Sequence, residues 1–206
     1  MIIADDHPVV LVGMRMNLSS LTNPTICIID EATTPEALIL LLEGQTCDLL
    51  ITDFLMPSNK SPDGLALVSY IRRNFPGIKL LVMTMVNNPL ILRQLLKLKV
   101  NGLIDKNSTP LEFRNAVRLS INGGNYLSPS FNLLLDSAKK GDITHSNLSP
   151  KELEVVRLFG QELDGREIAK RLNRSEKTIS RQKRTAMKKL SIKSNSQLAA
   201  YGQDFL

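Results

Sequence analysis

The sequence contains few of the residues that build redox, metal or aromatic stacking sites. Aromatic residues make up 4% of it and tryptophan is absent, which argues against the stacking surfaces that bind single-stranded nucleic acids. Cys27 and Cys47 stand alone in apolar surroundings, and we predict buried thiols in a reducing cytosol rather than a disulfide. His7 and His145 are too few and too far apart to indicate a metal motif.

Long hydrophobic runs are also missing. The longest, Ala37 to Leu42, is too short to cross a bilayer. Asp5 and Asp6 interrupt the N-terminal residues where the apolar region of a signal peptide would lie. We therefore expect a cytoplasmic protein without a membrane partner. The first predicted strand is short because Met1 lies close to Asp5, and we expect further residues upstream.

Acidic residues are outnumbered in one part of the chain only. The net charge is +6 over 206 residues. Residues 1–127 hold eleven basic and eleven acidic residues, whereas residues 148–206 hold thirteen basic and seven acidic residues. A basic segment joined to a neutral one is typical of a nucleic-acid-binding domain with a partner domain. We predict domains at 1–127 and 148–206, joined by a connecting helix and linker at 128–147.

The first domain alternates short apolar runs with amphipathic segments. The predicted strands are Ile2–Ala4, Thr25–Ile29, Asp48–Thr52, Lys79–Met83 and Gly102–Ile104. The predicted helices are Val9–Ser20, Pro35–Glu43, Gly64–Asn74, Pro89–Lys99 and Leu111–Asn122. Five strands alternating with five helices predict an α/β fold, a doubly wound parallel sheet with helices on both faces. Beyond it, we predict a helix at Pro129–Ala138 and a polar linker at Lys139–Asn147.

Polar side chains follow several of these strands. Asp5 and Asp6 follow the first, Asp53 the third, Thr84 the fourth and Lys106 the fifth. Because the carboxyl ends of parallel strands meet at one edge of the sheet, three carboxylates there would repel each other unless a cation lay among them. Such an all-oxygen site suits Mg²⁺. One carboxylate could form an aspartyl phosphate while the hydroxyl and the ammonium hold phosphoryl oxygens.

The segments Ile2–Pro8 and Ile51–Pro57, with Thr84 and Lys106, resemble the signature of response-regulator receiver domains. The resemblance implies a CheY-like, five-stranded receiver. It also implies a role for each of these residues. Asp53 is the expected phosphoacceptor, Asp5 and Asp6 the acidic pair, Thr84 and Lys106 the phosphoryl contacts, and Asp6, Asp53 and the Leu55 carbonyl the Mg²⁺ ligands.

Three residues differ from what many receivers carry. Leu103 occupies the position of an aromatic side chain that rotates on activation, so coupling through a tyrosine flip is not available. Met85 replaces a small residue after Thr84, and its bulk could narrow access to the phosphoryl group. Asp105 adds a carboxylate beside Lys106, and strand alternation predicts that it points to the opposite face.

The second domain begins with two capping signals. Ser149–Glu152 and Asp164–Glu167 each predict a capping box, the first followed by proline at the first helical position. Ser175 is predicted to cap a third helix. Two short helices, a tight turn and a basic third helix predict a helix-turn-helix.

The third helix is strongly basic. Residues 166–193 hold eleven basic and two acidic residues, and Lys177, Arg181, Arg184 and Lys188 fall on one stripe at helical spacing. Too few acids are present to pair such a face, which favours binding to an anion over a solvated surface.

This region resembles the DNA-binding domain of LuxR-type regulators, an all-α domain. The resemblance rests on Leu148–Glu152, Glu167–Ala169, Thr178–Ile179 and Lys189–Leu190. It implies that the third helix contacts double-stranded DNA, with base contacts from Ser180, Arg181 and Arg184. The full set of implied DNA-binding residues is Lys177, Thr178, Ser180, Arg181, Lys183, Arg184 and Lys188.

A receiver followed by a LuxR-type domain is identified as a member of the NarL/FixJ class of response regulators. The resemblance implies a transcription regulator, not an enzyme, with a histidine kinase or phosphotransfer protein as phosphodonor. It further implies a homodimer, or a heterodimer with another LuxR-type regulator.

Two alternatives stay open. The chain could be a phosphorylation-independent DNA-binding partner whose receiver serves as a dimerisation module, and modification of Asp53 by a phosphodonor with Mg²⁺ would separate the two. A phosphohydrolase is disfavoured, because Phe54-Leu55-Met56 supplies no second carboxylate after Asp53.

Overall fold

The computed structural model describes residues 1–21, 26–56, 58, 61, 63–140, 148–190 and 192–203. Its first domain is built on one parallel sheet with the strand order β2-β1-β3-β4-β5-β6. The strands are β1 (Ile2–Ala4), β2 (Asp30–Ala32), β3 (Leu49–Asp53), β4 (Lys79–Thr84), β5 (Gly102–Asp105) and β6 (Tyr126–Leu127). The predicted doubly wound α/β architecture is confirmed.

The strand count and the second strand were predicted wrongly. The sixth strand, β6, pairs in parallel with β5, with Gly102 opposite Tyr126. The second strand is Asp30–Ala32 rather than Thr25–Ile29, and of that predicted strand residues 22–25 lie outside the described residues. Ile26 and Ile28 do pack against the core, but outside any strand.

Helices cover both faces of the sheet. In the first domain they are α1 (Pro8–Ser19), α2 (Pro35–Gly44), α3 (Gly64–Asn74), α4 (Pro89–Lys97) and α5 (Pro110–Ile121). Alternating side chains of the strands build a separate core on each face: Ile2 and Leu50 pack with α2, α3 and α4, and Ile3 and Ile51 with α1 and α5. The strand ends are therefore held at one rigid edge.

The connecting helix α6 (Pro129–Lys140) is longer than predicted. It packs against α4. The predicted linker falls mostly on residues 141–147, which lie outside the described residues.

The second domain contains α7 (Pro150–Gly160), α8 (Gly165–Arg171), α9 (Glu176–Lys189) and α10 (Asn195–Gln203). Both predicted capping boxes are present, at Ser149 with Glu152 and at Asp164 with Glu167, and Ser175 caps α9. Helix α10 was not predicted from the sequence, although the Ser194 hydroxyl caps its first turn by accepting the Gln197 N–H at 3.2 Å.

The two domains touch. Helix α3 of the receiver contacts α7 of the helix-turn-helix domain, and the apolar core on that face of the sheet continues into Leu148, Leu153 and Val156.

Both cysteines are free thiols, as predicted. Cys47 is half-buried, but Cys27 is exposed and its predicted burial was wrong. Successive side chains here point to opposite sides, so Ile26 and Ile28 pack against the core and Cys27 between them faces solvent. Within the described part of the chain, no helix has the length and apolar character needed to span a membrane.

Candidate functional site

The acidic residues converge at the carboxyl edge of the sheet. Asp5 follows β1, Asp53 ends β3 and Lys106 follows β5. The Lys106 ammonium lies 2.8 Å from Asp5 Oδ2 and 2.8 Å from Asp53 Oδ2. Asp5 is fully buried and Asp53 nearly so, so Lys106 compensates two carboxylates that water barely reaches.

The environment shifts the pKa of both members of the Asp53–Lys106 pair. Burial raises the pKa of Asp53 to about 6, against the charge and hydrogen bond of Lys106, which lower it. The charge of Asp5 raises it further, and the backbone N–H of Leu55 favours the charged form. Burial disfavours the Lys106 ammonium, but the hydrogen bonds and charges of Asp5 and Asp53 outweigh it, so the pKa of Lys106 lies above its usual value.

His7 also belongs to this cluster, although the sequence analysis set it aside. Its Nδ1 lies 2.9 Å from Asp6 Oδ1 and 3.3 Å from Asp5 Oδ1. The possible ligand atoms of Asp5, Asp6, His7 and Asp53 all lie within 4.8 Å of one another. The sequence feature that could have indicated His7 is its position directly after Asp5 and Asp6.

Thr84 ends β4, the strand between β3 and β5. Its side chain is buried, and its hydroxyl accepts the Val86 N–H at 3.0 Å. Its backbone carbonyl accepts the Lys106 N–H at 3.0 Å, which fixes the backbone of Lys106 beside the end of β4. Met85 is 61% exposed.

Asp105 has a separate structural role. Its carboxylate accepts the Ser130 hydroxyl at 2.7 Å and the Asn107 N–H at 2.9 Å, and its own N–H donates to Ser128 Oγ at 3.0 Å. The first turn of α6 is thereby attached to the end of β5. This explains the extra carboxylate beside Lys106.

In the second domain, α9 carries the basic stripe. Lys177, Arg181, Arg184 and Lys188 are exposed, as is Ser180. None of the four basic side chains forms an ion pair with a residue that the structure describes. The opposite face of the helix packs Ile179 and Ala186 into the domain, and Leu190 is buried just after its end.

Two of the predicted DNA-binding residues have partners inside the domain. The Thr178 hydroxyl lies 2.8 Å from Ser175 Oγ, within the cap of α9. Lys183 is half-buried, and its ammonium lies 4.8 Å from the centre of the Phe159 ring. Lys183 was predicted to bind DNA, and here its ammonium faces an aromatic ring of its own domain.

Two protein-family models match the chain. That of the response regulator receiver domain matches residues 1–118, and that of bacterial regulatory proteins of the luxR family matches residues 146–201. The chain therefore belongs to the NarL/FixJ class of response regulators, which join a receiver to a LuxR-type helix-turn-helix domain. It is a DNA-binding transcription regulator with a receiver domain.

Its relatives include the transcriptional regulatory protein RcsB of Escherichia coli K12, 40% identical over 97% of this chain and 92% of RcsB. RcsB of Salmonella enterica serovar Typhimurium, bound to promoter rprA in the presence of the phosphomimetic BeF3−, gives a TM-score of 0.83 at 40% identity, covering 98% of this chain and 96% of that chain. A structure of two RcsB dimers bound to two parallel DNAs gives a TM-score of 0.65 at 39% identity, covering 100% of this chain and 98% of that chain. In agreement, the sequences of residues 57–64, 83–85, 87–89, 178–180 and 182–183 resemble RcsB in particular.

Proposed function

We propose that phosphorylation of Asp53 controls the binding of this regulator to double-stranded DNA. The observation that carries the proposal is the position of the Lys106 ammonium, 2.8 Å from Asp53 Oδ2. A carboxylate and a fixed cation at one strand edge provide a nucleophile and a partner for the charge that develops on a transferred phosphoryl group. The phosphomimetic in the DNA complex of RcsB supports the same chemistry for a relative.

The transfer follows from these groups. With a pKa of about 6, Asp53 is ionised at neutral pH and attacks the phosphorus of a phosphohistidine on a histidine kinase or phosphotransfer protein. The bond from Asp53 oxygen to phosphorus forms, the histidine N–P bond breaks, and the leaving imidazole takes up a proton. Lys106 and the Thr84 hydroxyl then contact the phosphoryl oxygens.

The carboxylates form an acidic cluster of the kind at which receivers bind Mg²⁺. The donor set fits this ion, because oxygen ligands dominate and Asp6 is only partly buried, which leaves room for the water ligands that Mg²⁺ retains. Asp6, Asp53 and the Leu55 carbonyl would hold the ion. When bound, it supplies positive charge that neutralises the phosphoryl oxygens.

A second copy of the chain is the proposed receiver partner. Helices α1 and α5 lie side by side, joined by Arg114 Nη1 and Asn17 Oδ1 at 3.0 Å. Their outer sides expose five apolar residues, which are Val9, Val12, Met16, Leu111 and Leu119. Such a surface suits association, and the RcsB dimers on DNA support a homodimer.

The DNA surface is the exposed stripe of α9. We propose that Arg181, Arg184 and Ser180 contact base edges and that Lys177 and Lys188 contact flanking phosphates. Since the target is double-stranded DNA, the regulator acts in the cytoplasm.

The test combines modification and binding in the full-length chain. Acetyl phosphate with Mg²⁺ should add one phosphoryl group, detected by intact-protein mass, and should strengthen binding to a duplex that the protein selects from a random pool. Asp53→Ala should abolish both effects, whereas Asp48→Ala, which removes an exposed carboxylate of the same domain, should leave them unchanged. Unmodified parent protein that still binds DNA as a dimer would favour the phosphorylation-independent alternative.

A further inference from the structure

The carboxylate of Asp63 joins the two domains. Its Oδ1 accepts Arg157 Nη2 of α7 at 2.8 Å, and its Oδ2 accepts Arg171 Nη2 of α8 at 2.8 Å. Arg157 Nη2 also donates to Glu154 Oε1 at 2.9 Å. Two acids thus share two arginines in a buried cluster, in which Asp63 is 1% and Arg157 2% exposed.

Asp63 makes this contact instead of a local one. It precedes α3 at the N-cap position, where an aspartate ordinarily accepts N–H groups of its own helix. Its side chain makes no such cap bond, and both oxygens face the arginines of the other domain. The next residue allows the approach: Gly64 has a φ of +56°, and a side chain there would meet Arg157 Nη2 at 3.1 Å.

The cluster is bonded to the backbone beside the phosphoacceptor. The Gly64 N–H donates to the Phe54 carbonyl at 3.1 Å, and the Phe54 N–H donates to the Met83 carbonyl at 2.8 Å. Phe54 directly follows Asp53. A shift of the chain at Asp53 therefore reaches Asp63 through two residues, Phe54 and Gly64, and the one hydrogen bond between them.

The domain contact and the DNA surface lie on different faces of the second domain. Arg157 and Arg171 belong to α7 and α8, whereas the stripe on α9 stays exposed while the domains are in contact. The receiver therefore does not cover the residues assigned to DNA.

We propose that Asp63 is a positioning residue that holds the helix-turn-helix domain on the receiver in an orientation that binds DNA. The domain contact then supports binding by setting the relative placement of two recognition helices in a dimer, rather than masking each helix. This rests on the assignment of α9 to DNA and extends the proposed function. Arg157 Nε and Nη1 lack an acceptor among the described residues, so the hydrogen bonds of the cluster are incomplete. A change at Asp53 can therefore shift the fraction of molecules in which Asp63 contacts the two arginines.

The test uses the full-length chain with Asp63→Asn, which keeps the shape and removes the charge. Fluorescence anisotropy compares a duplex with one half-site and a duplex with two, both taken from a sequence selected with the parent protein. We expect single-half-site affinity within about two-fold of the parent and two-half-site affinity lower by roughly ten-fold, within the usual range of coupling between sites. Asp48→Asn is the control and should match the parent on both duplexes.

A second variant guards against misfolding. Arg171→Gln breaks the same contact from the other domain, and the double variant should lose no more than either single variant, since both act through one contact. Equal losses on the two duplexes, no loss, or tighter binding of either duplex would overturn the proposal; tighter binding would show that the contact masks α9. A parent protein that binds no DNA would instead remove the proposed function.

Discussion

Lys106 reaches across the end of β4 to place its ammonium 2.8 Å from the carboxylate of Asp53. Asp53 ends β3 and Lys106 follows β5, two strands that are not neighbours, and Thr84 lies between them at the end of β4. The side chain of Lys106 is 14% exposed. The pair therefore places a carboxylate and a cation at the proposed phosphoryl site before any phosphodonor arrives.

The pKa of Asp53 predicts a pH-dependent cost to stability. Its folded value is about 6 against an ordinary 3.8, so between these pH values the folded state binds more protons than the unfolded state. Stability of the parent should therefore fall as the pH rises through this window. In Mg²⁺-free buffer, Asp53→Asn should be more stable than the parent above pH 6, by on the order of 1–3 kcal/mol, and equal to it near pH 4.

Denaturant unfolding at a series of pH values measures this difference. Mg²⁺ should reverse it at neutral pH by stabilising the parent alone, because only the parent keeps the full ligand set. Asp48→Asn serves as the exposed control. A variant that is less stable than the parent at pH 7 without metal would contradict the raised pKa.

Residues of α9 should separate into those that read sequence and those that hold the backbone. Arg181→Ala should cost about 1–3 kcal/mol on the selected duplex and relax preference at one base position, because an arginine fork bonds a guanine edge in two places. Lys188→Ala should weaken binding to all duplexes about equally. It should also reduce the slope of log binding constant against log salt concentration by about 1. Titrations on selected and scrambled duplexes at several salt concentrations measure both. Equal losses for Arg181→Ala on both duplexes would refute its base-reading role.

The contact between Lys183 and Phe159 predicts a stability effect in the absence of DNA. Lys183→Met keeps a long apolar side chain but removes the ammonium above the ring, and it should destabilise the second domain by about 0.5–1 kcal/mol. Lys177→Met, on the exposed stripe, is the matched control and should not change stability. Thermal unfolding without DNA compares them, and equal melting temperatures for both variants would exclude a stabilising contact.

Two glycines bring α7 and α10 into close contact. A side-chain carbon at Gly202 would lie 2.4 Å from the Val156 carbonyl oxygen and 2.7 Å from Gly160 N. Gly202→Ala must therefore separate the helices, and we expect a loss of about 1–3 kcal/mol, as for overpacking in a core. Gly13→Ala in α1 meets nothing within 4 Å and should stabilise by about 0.5–1 kcal/mol. Denaturant unfolding that ranks the two variants in the other order would contradict the close approach.

Local signals in the sequence predicted most elements and the caps of α7, α8 and α9, but not the Thr34, Asn88 and Thr109 caps of α2, α4 and α5. Ser149 with Glu152 and Asp164 with Glu167 are recognisable because each capping box is complete within four residues. The acidic cluster at the carboxyl edge of the sheet was predicted for a related reason. Parallel strands bring their carboxyl ends together whatever sequence connects one strand to the next.

Elements that depend on a distant partner were missed or misplaced. Strand β2 is an edge strand with Asp30 and Glu31 in it, and only pairing with Ile2 and Ile3 identifies it. Strand β6 has two residues and no periodicity of its own. The contact of Asp63 with Arg157 and Arg171 joins residues 94 and 108 positions apart, and nothing local distinguishes Asp63 from an ordinary helix cap.

The attachment of Ser130 to Asp105 has a geometric consequence for the connecting helix. Helix α6 has twelve residues and is thus about 18 Å long. It is held at its first turn, on the strand that ends next to Lys106. A tilt of roughly 5° at that attachment moves the far end of the helix by about 1.5 Å. A movement at Lys106 that tilted α6 against its packing on α4 would therefore displace the end of the helix, where the chain leaves the receiver, more than its attached first turn.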